Sequence, residues 1–308
     1  MGGVLAGFSI IAVVILVGWL LAVTKVVTGD ARFVLNRTAF FATTPALLFT
    51  VLANADMDVM LSPVLLVNVI AFVVVAVVYF VVARLWFTKD PGALAIGAYS
   101  SGYTNVNNIG LPVAAYVIGD VQYIAPLLMV QLVILAPTLL GFLDVRSRGK
   151  ASFWSIISQP IRNPMLIAGL LGLVVALTDF QVPEIVMAPI DMLAGAAVPM
   201  VLLAFGVSLV GQKPMQPGTG RKEILLATVL KGIIMPVVAY VVAAFILQLD
   251  PQLVYAATIM AALPTAQNMY QFAIRYETGM VVSRDTVLLT TFLSLPVMFA
   301  IAALLHVS

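Results

Sequence analysis

The sequence predicts an all-α integral membrane protein of ten transmembrane helices, arranged as two inverted five-helix repeats with broken, crossing helices at spans 4 and 9. Three observations carry this. Of the 308 residues, 63% are hydrophobic and 9% charged, and the mean hydropathy is +1.14; a soluble protein of that balance has too little polar surface to cover itself. Apolar runs of the ~20 residues needed to cross a bilayer recur along the chain without the period-two alternation of barrel strands. Two of these runs are interrupted by polar residues at corresponding places, Tyr103–Pro112 and Leu263–Gln271.

Taken in order, the apolar runs give spans at 4–23, 33–53, 62–85, 93–118, 122–143, 162–178, 185–210, 222–247, 252–275 and 284–305. Span 1 lacks a basic leading segment, so it reads as a span and not as a cleaved signal peptide. With the N-terminus outside, every Lys and Arg except Lys231 falls in the inner loops or at inner span ends, from Lys25 and Arg37 through Arg84, Lys89 and Arg146 to Arg275 and Arg284. The outer side carries Asp56, Asp58, Asp120, Asp179, Glu184 and Asp250. This positive-inside asymmetry puts both termini outside in a multi-pass protein of the cell (inner or plasma) membrane.

A shift of 160 residues aligns Asp90-Pro91 with Asp250-Pro251, Asn108 with Asn268, Gly119 with Gly279, and the start of span 3 with that of span 8. Five spans per copy is an odd number, so the copies are inverted in the membrane. The expected organisation is a first repeat over 1–143, a short cytoplasmic linker at 144–161 and a second repeat over 162–308.

The interruptions are the chemical signal. Between Tyr99 and Gly110 lie two Ser, one Thr, two Tyr, three Asn and two Gly, and Pro112 follows in mid-span. Span 9 sets Pro264 before Thr265, Gln267 and Asn268. A continuous helix could offer such residues as polar glue to a neighbour. Proline cannot donate to the preceding turn, which favours two unwound crossovers near the midplane. Each crossover starts a half-helix whose N-terminal N–H groups carry partial positive charge. With the amides of Asn105, Asn107, Asn108, Gln267 and Asn268, these ends suit an anion such as a carboxylate.

Neither crossover holds Asp or Glu, which argues against a cation/proton antiporter. Asp191 is read as the one acid inside a span, either a hydrated helix-end residue or a coupling or gating group. Lys231, the one basic residue well inside a span, either snorkels to the inner interface or attracts the anion. Asn68 and Gln131 are interhelical hydrogen-bond partners or cavity residues. His306 is read as interfacial. The chain has no Cys and one His, and no protease motif, so an enzyme is not expected. No metal or cofactor is expected either, and with a net charge of +2 no nucleic acid partner.

Several motifs resemble the auxin efflux carrier family, which includes plant PIN-type carriers and bacterial malonate, malate and related organic-acid permeases. Asn36-Arg37 followed by Pro45-Ala46-Leu47 is similar to the family's early Asn-Arg…Pro signature. Asn107-Asn108-Ile109-Gly110-Leu111-Pro112 resembles its span-4 crossover, and Leu263-Pro264-Thr265-Ala266-Gln267-Asn268 its span-9 crossover. Phe205-Gly206-Val207-Ser208-Leu209 resembles a turn in span 7, with Gly and Ser permuted. The resemblance implies a sodium/proton-antiporter-like fold, with a scaffold of spans 1, 2, 6 and 7 and a mobile transport part of spans 3–5 and 8–10. It further implies a homodimer in the lipid bilayer and elevator-like alternating access. Asn105, Asn107, Asn108, Thr265, Gln267 and Asn268 would then contact the substrate, with Tyr103, Pro112 and Tyr270 beside them. The chain has only a short linker where the plant carriers have a long central loop, so regulation by such a loop is not expected; Val106 stands where plant carriers often have Pro between two crossover Asn residues, which speaks against auxin itself as the natural substrate. The functional expectation is a secondary active transporter or potential-driven uniporter for small organic anions. A proton-coupled carboxylate symporter and an anion channel are the alternatives.

Overall fold

The computed structural model describes residues 2–54, 62–148, 163–178, 180–210 and 220–305. The loop residues Lys150, Arg162, Lys213, Asp56, Asp58 and Asp179, and also His306, lie outside these. The described chain is helical throughout, with no strand among the described residues apart from one isolated β-bridge, Thr104 with Thr265. In chain order the helices are α1 (Gly2–Val23), α2 (31–53), α3 (Pro63–Trp86), α4 (Pro91–Ser100), α5 (Val106–Ile118) and α6 (Val121–Ser147). They continue as α7 (Pro164–Thr178), α8 (Glu184–Ser208), α9 (Arg221–Ile246), α10 (Pro251–Ala261), α11 (Asn268–Arg275) and α12 (Met280–Leu304). Among the described residues, α3, α6, α8, α9 and α12 are long and apolar enough to cross a membrane, at 24, 27, 25, 26 and 25 residues. Shorter apolar helices occupy Ser9–Val23, Val106–Ile118 and Pro164–Thr178.

Helix starts follow from local chemistry. Ser62 accepts from the Val64 N–H, and Asp90 from the Ala93 N–H, each ahead of a proline at the first helical position. Asp250-Pro251 opens α10 in the same way, though without a side-chain cap bond. Gly119 (φ +87°) and Gly279 (φ +60°) take left-handed backbone conformations, the first ending α5 and the second starting α12.

Prolines inside the long runs do not break them. Four five-residue π stretches, Ala39–Thr43, Val106–Gly110, Gln131–Leu135 and Leu230–Ile234, each end two residues before a proline: Pro45, Pro112, Pro137 and Pro236. A proline ring clashes with the carbonyl four residues back, which here lies within the widened turn, where the ladder runs to the fifth residue instead. This corrects the expectation for Pro112: it is buried inside α5, and the break in span 4 comes earlier, at 101–105. Helix continues past residue 144, where the linker was expected to start, as far as Arg148.

Contacts concentrate in two groups. One holds α1, α2, α7 and α8; the other holds α3, α4 and α9–α12, with α5 packed on α1 and α8. Small residues set the close approaches. A Cβ at Gly18 would strike the Leu203 carbonyl, and one at Gly206 the Ile15 carbonyl, so α1 and α8 touch backbone to backbone. Gly172 does the same for α7 against Phe49 of α2. Phe205–Ser208, expected as a turn, is the last helical turn of α8, and its glycine serves this close contact.

Candidate functional site: the crossing of two broken helices

Helices α4 and α10 end at Ser100 and Ala261, and the unwound segments that follow meet each other. Asn105 N–H donates to the Pro264 carbonyl (2.7 Å) and Ala266 N–H to the Tyr103 carbonyl (2.9 Å), a two-residue antiparallel pairing. Backbone polar groups freed at bilayer depth must find protein partners, and several other freed groups do as well. Thr265 Oγ1 donates to the Ser100 carbonyl at the end of α4 (2.7 Å), and Thr265 N–H donates to Thr290 Oγ1 on α12 (3.0 Å). Gln131 Nε2 donates to the Thr104 carbonyl (3.0 Å), while its own carbonyl accepts from the Tyr103 hydroxyl (3.4 Å). Lys231 Nζ donates to the Ala261 carbonyl at the end of α10 (2.7 Å).

Lys231 therefore does not snorkel. It is 0% exposed, and its Nζ donates to the free carbonyl at the C-terminal end of α10. Gln131 is a support of the crossing, 3% exposed. Asn68 is an interhelical partner, fully buried and donating to Val64 O (3.0 Å) and Ala257 O (3.4 Å), which ties α3 to α10. Asp191 is exposed on α8 and accepts from Thr50 Oγ1 of α2 (3.0 Å), so it belongs to the α2–α8 contact.

The two helices that leave the crossing, α5 and α11, present their N-termini to it. Asn105 Oδ1 accepts from the Asn108 N–H (3.1 Å) as the α5 cap, which leaves Asn105 Nδ2 buried with no protein partner. Asn107 Nδ2 donates to Asn108 Oδ1 (2.9 Å), and Asn107 Oδ1 is likewise buried without a partner. The α11 start carries no side-chain cap bond. Gln267 and Tyr270 are half-buried and Asn268 is exposed there, whereas Thr265 and Tyr103 are buried. So Tyr103, Asn105 and Thr265 form the core of the crossing, and Asn107, Asn108, Gln267, Asn268 and Tyr270 its partly open rim.

Sequence reasoning placed α12 as span 10 but missed its buried polar face. Ser283, Thr286, Thr290 and Ser294 are all buried at helical spacing, and Thr290 holds the crossing directly. Their three- and four-residue intervals were the available signal. It also missed Asp285, a second acid inside a span, fully buried and bonded to Arg284 Nε (2.7 Å). Among the described residues no cluster of His, Asp or Glu could hold a metal ion.

Long apolar helices around a largely hydrogen-bonded polar break define a multi-pass membrane protein of the transporter class. A profile described as "Membrane transport protein" matches residues 7–302, and the chain belongs to this family, that of the auxin efflux carriers. It is a transporter and not an enzyme. A protein named "Putative malonate transporter" from Rhizobium meliloti (strain 1021) is 24% identical over 273 residues, covering 86% of this chain and 84% of that one. "Probable auxin efflux carrier component 9" of Oryza sativa subsp. japonica is 28% identical over 152 residues, covering 48% of this chain and 35% of its own length. An uncharacterised transporter of Methanocaldococcus jannaschii is 21% identical over 294 residues, 93% of this chain and 94% of its own.

Proposed function

We propose that this chain carries small organic anions, carboxylates of malonate size, across the cell membrane by alternating access, and binds them at the rim of the crossing. The observation that carries the reading is the convergence of the α5 and α11 N-termini with amide donors and no carboxylate. Oriented N–H groups and neutral amides favour an anion, and the Lys231 amine braces the end of α10 behind them. The malonate named for the Rhizobium relative supports the substrate class.

The architecture we propose is ten spans in two inverted repeats, with both termini outside. Its support is the 160-residue alignment, whose partners Asp90 and Asp250 both precede helices that run into the break, while Gly119 and Gly279 share a left-handed backbone. We place the scaffold in spans 1, 2, 6 and 7 and the moving part in spans 3–5 and 8–10, working as an elevator in a homodimer; the packing groups support this for the scaffold, for spans 3 and 8–10 and for the first half of span 4. With no acid at the crossing, transport follows membrane potential. Buried Asp285 favours a second reading, proton-coupled symport.

The test is uptake of labelled malonate and related dicarboxylates into proteoliposomes. Asn107→Ala and Asn268→Ala should each lower uptake at least tenfold with unfolding temperature unchanged. Uptake equal to wild type in both would refute the site. Uptake that ignores voltage but follows a pH gradient would select symport, and Asp285→Asn would then abolish the pH response.

A further inference from the structure

A second candidate site lies away from the crossing, in a groove of about 470 Å³ between α3, α4 and α6. Its walls are apolar, built from Phe80, Leu94, Ala95, Ala98 and Phe142, and Tyr99 also lines it. Arg84 and Lys89 line it as well, from the C-terminal end of α3 and the turn into α4. Both cations are exposed, and neither has an ion-pair partner among the described residues. The neighbouring acid cannot serve them: Asp90 already binds Arg146, the Thr278 hydroxyl (3.0 Å) and the Ala93 N–H (2.9 Å). Phe80 and Phe142 are 48% and 47% exposed, and Leu85 and Trp86, beside Arg84, are 66% and 69% exposed. In a membrane protein such a surface faces acyl chains, with Trp and the cations at the headgroup level.

We propose that this groove binds one anionic phospholipid, with an acyl chain along Phe80, Leu94, Ala95 and Phe142 and the phosphate between Arg84 and Lys89. The two halves of the groove demand the two halves of one amphiphile. A guanidinium takes a phosphate through two parallel N–H bonds, and an ammonium adds a point charge. A small carboxylate would satisfy the cations and leave the apolar wall unused. Assignment to the cytoplasmic leaflet rests on the orientation proposed above; the lipid chemistry does not.

Binding can be read without transport, so the outcome is independent of the substrate proposal. Native mass spectrometry of the full chain would measure affinities for dioleoyl phosphatidylglycerol and dioleoyl phosphatidylcholine, which share chains and differ in charge. Each cation near an anionic surface is worth roughly fivefold in affinity, so wild type should prefer phosphatidylglycerol by roughly 25-fold. R84Q/K89Q should remove that preference, and A95F, which fills the groove, should weaken both lipids. Arg84 and Lys89 are exposed, so the double variant reports whether or not A95F folds. An unchanged preference in R84Q/K89Q overturns the proposal. So does displacement of the lipid by inorganic phosphate at the lipid's own concentration, which would mark a site for free anions.

Discussion

Lys231 is the residue at which local energetics and function meet. Its stem is buried and its Nζ bonds Ala261 O, so Lys231→Met removes the donor and leaves a buried carbonyl unsatisfied, at a cost of about 1–3 kcal/mol. Lower unfolding temperature together with reduced malonate uptake is the expected result; unchanged stability would mean that the carbonyl has another donor. Outside the spans, Asp90 makes a pH prediction. Burial would raise its carboxyl, but the Ala93 N–H, the Thr278 hydroxyl and the Arg146 guanidinium together hold it below the usual carboxylate range. A carboxyl depressed in the folded state stabilises above its unfolded value near ~4 and loses that contribution as pH falls through the lower folded value. Thermal unfolding of wild type should therefore worsen below about pH 4 more steeply than that of Asp90→Asn. Most residues of the crossing were legible in the sequence because polar groups in an apolar run are rare and need a reason. The roles within it were not: whether Gln131 faces ligand or braces Thr104 depends on which helices lie alongside, and spacing within one run carries no such information.

At the scale of the element, a helix survives proline when a widened turn precedes it, and it breaks where partners for the freed backbone exist. Pro112 looked like the break in span 4 because the missing N–H is visible in sequence. The π turn at Val106–Gly110 absorbs it, and the break falls at 101–105, where the antiparallel partner 264–266 supplies hydrogen bonds. That partner is far away in the chain, Thr265 against Thr104, which is why the location was hidden. Close helix contacts were equally hidden, since Gly206 in sequence suggested a turn. A Cβ there meets the Ile15 carbonyl, so even Gly206→Ala should destabilise, by about 1–3 kcal/mol as for other overpacked contacts. Denaturation of the purified variant checks this. Gly195, with open space around its Cβ position, is the matched control and should tolerate Ala.

For the whole molecule, the composition dictated a membrane protein, and the charge asymmetry is the basis of the orientation we propose. The helical, polytopic architecture was therefore the most legible part. The grouping of α1, α2, α7 and α8 apart from α3, α4 and α9–α12 came only with the packing, and in sequence it rested on resemblance. The division we propose, into a still part and a moving part, predicts that the polar rim is reached from each side of the membrane in turn, with substrate holding it closed to reagents. The chain has no native cysteine, so a single Gln271→Cys, on exposed surface in the first turn of α11, reports on the rim without background. The most direct measurement is the rate at which an impermeant thiol reagent modifies this cysteine in proteoliposomes, with and without saturating malonate. Substrate should slow modification severalfold. An identical rate with and without a carboxylate that the same vesicles demonstrably take up would contradict binding at the crossing.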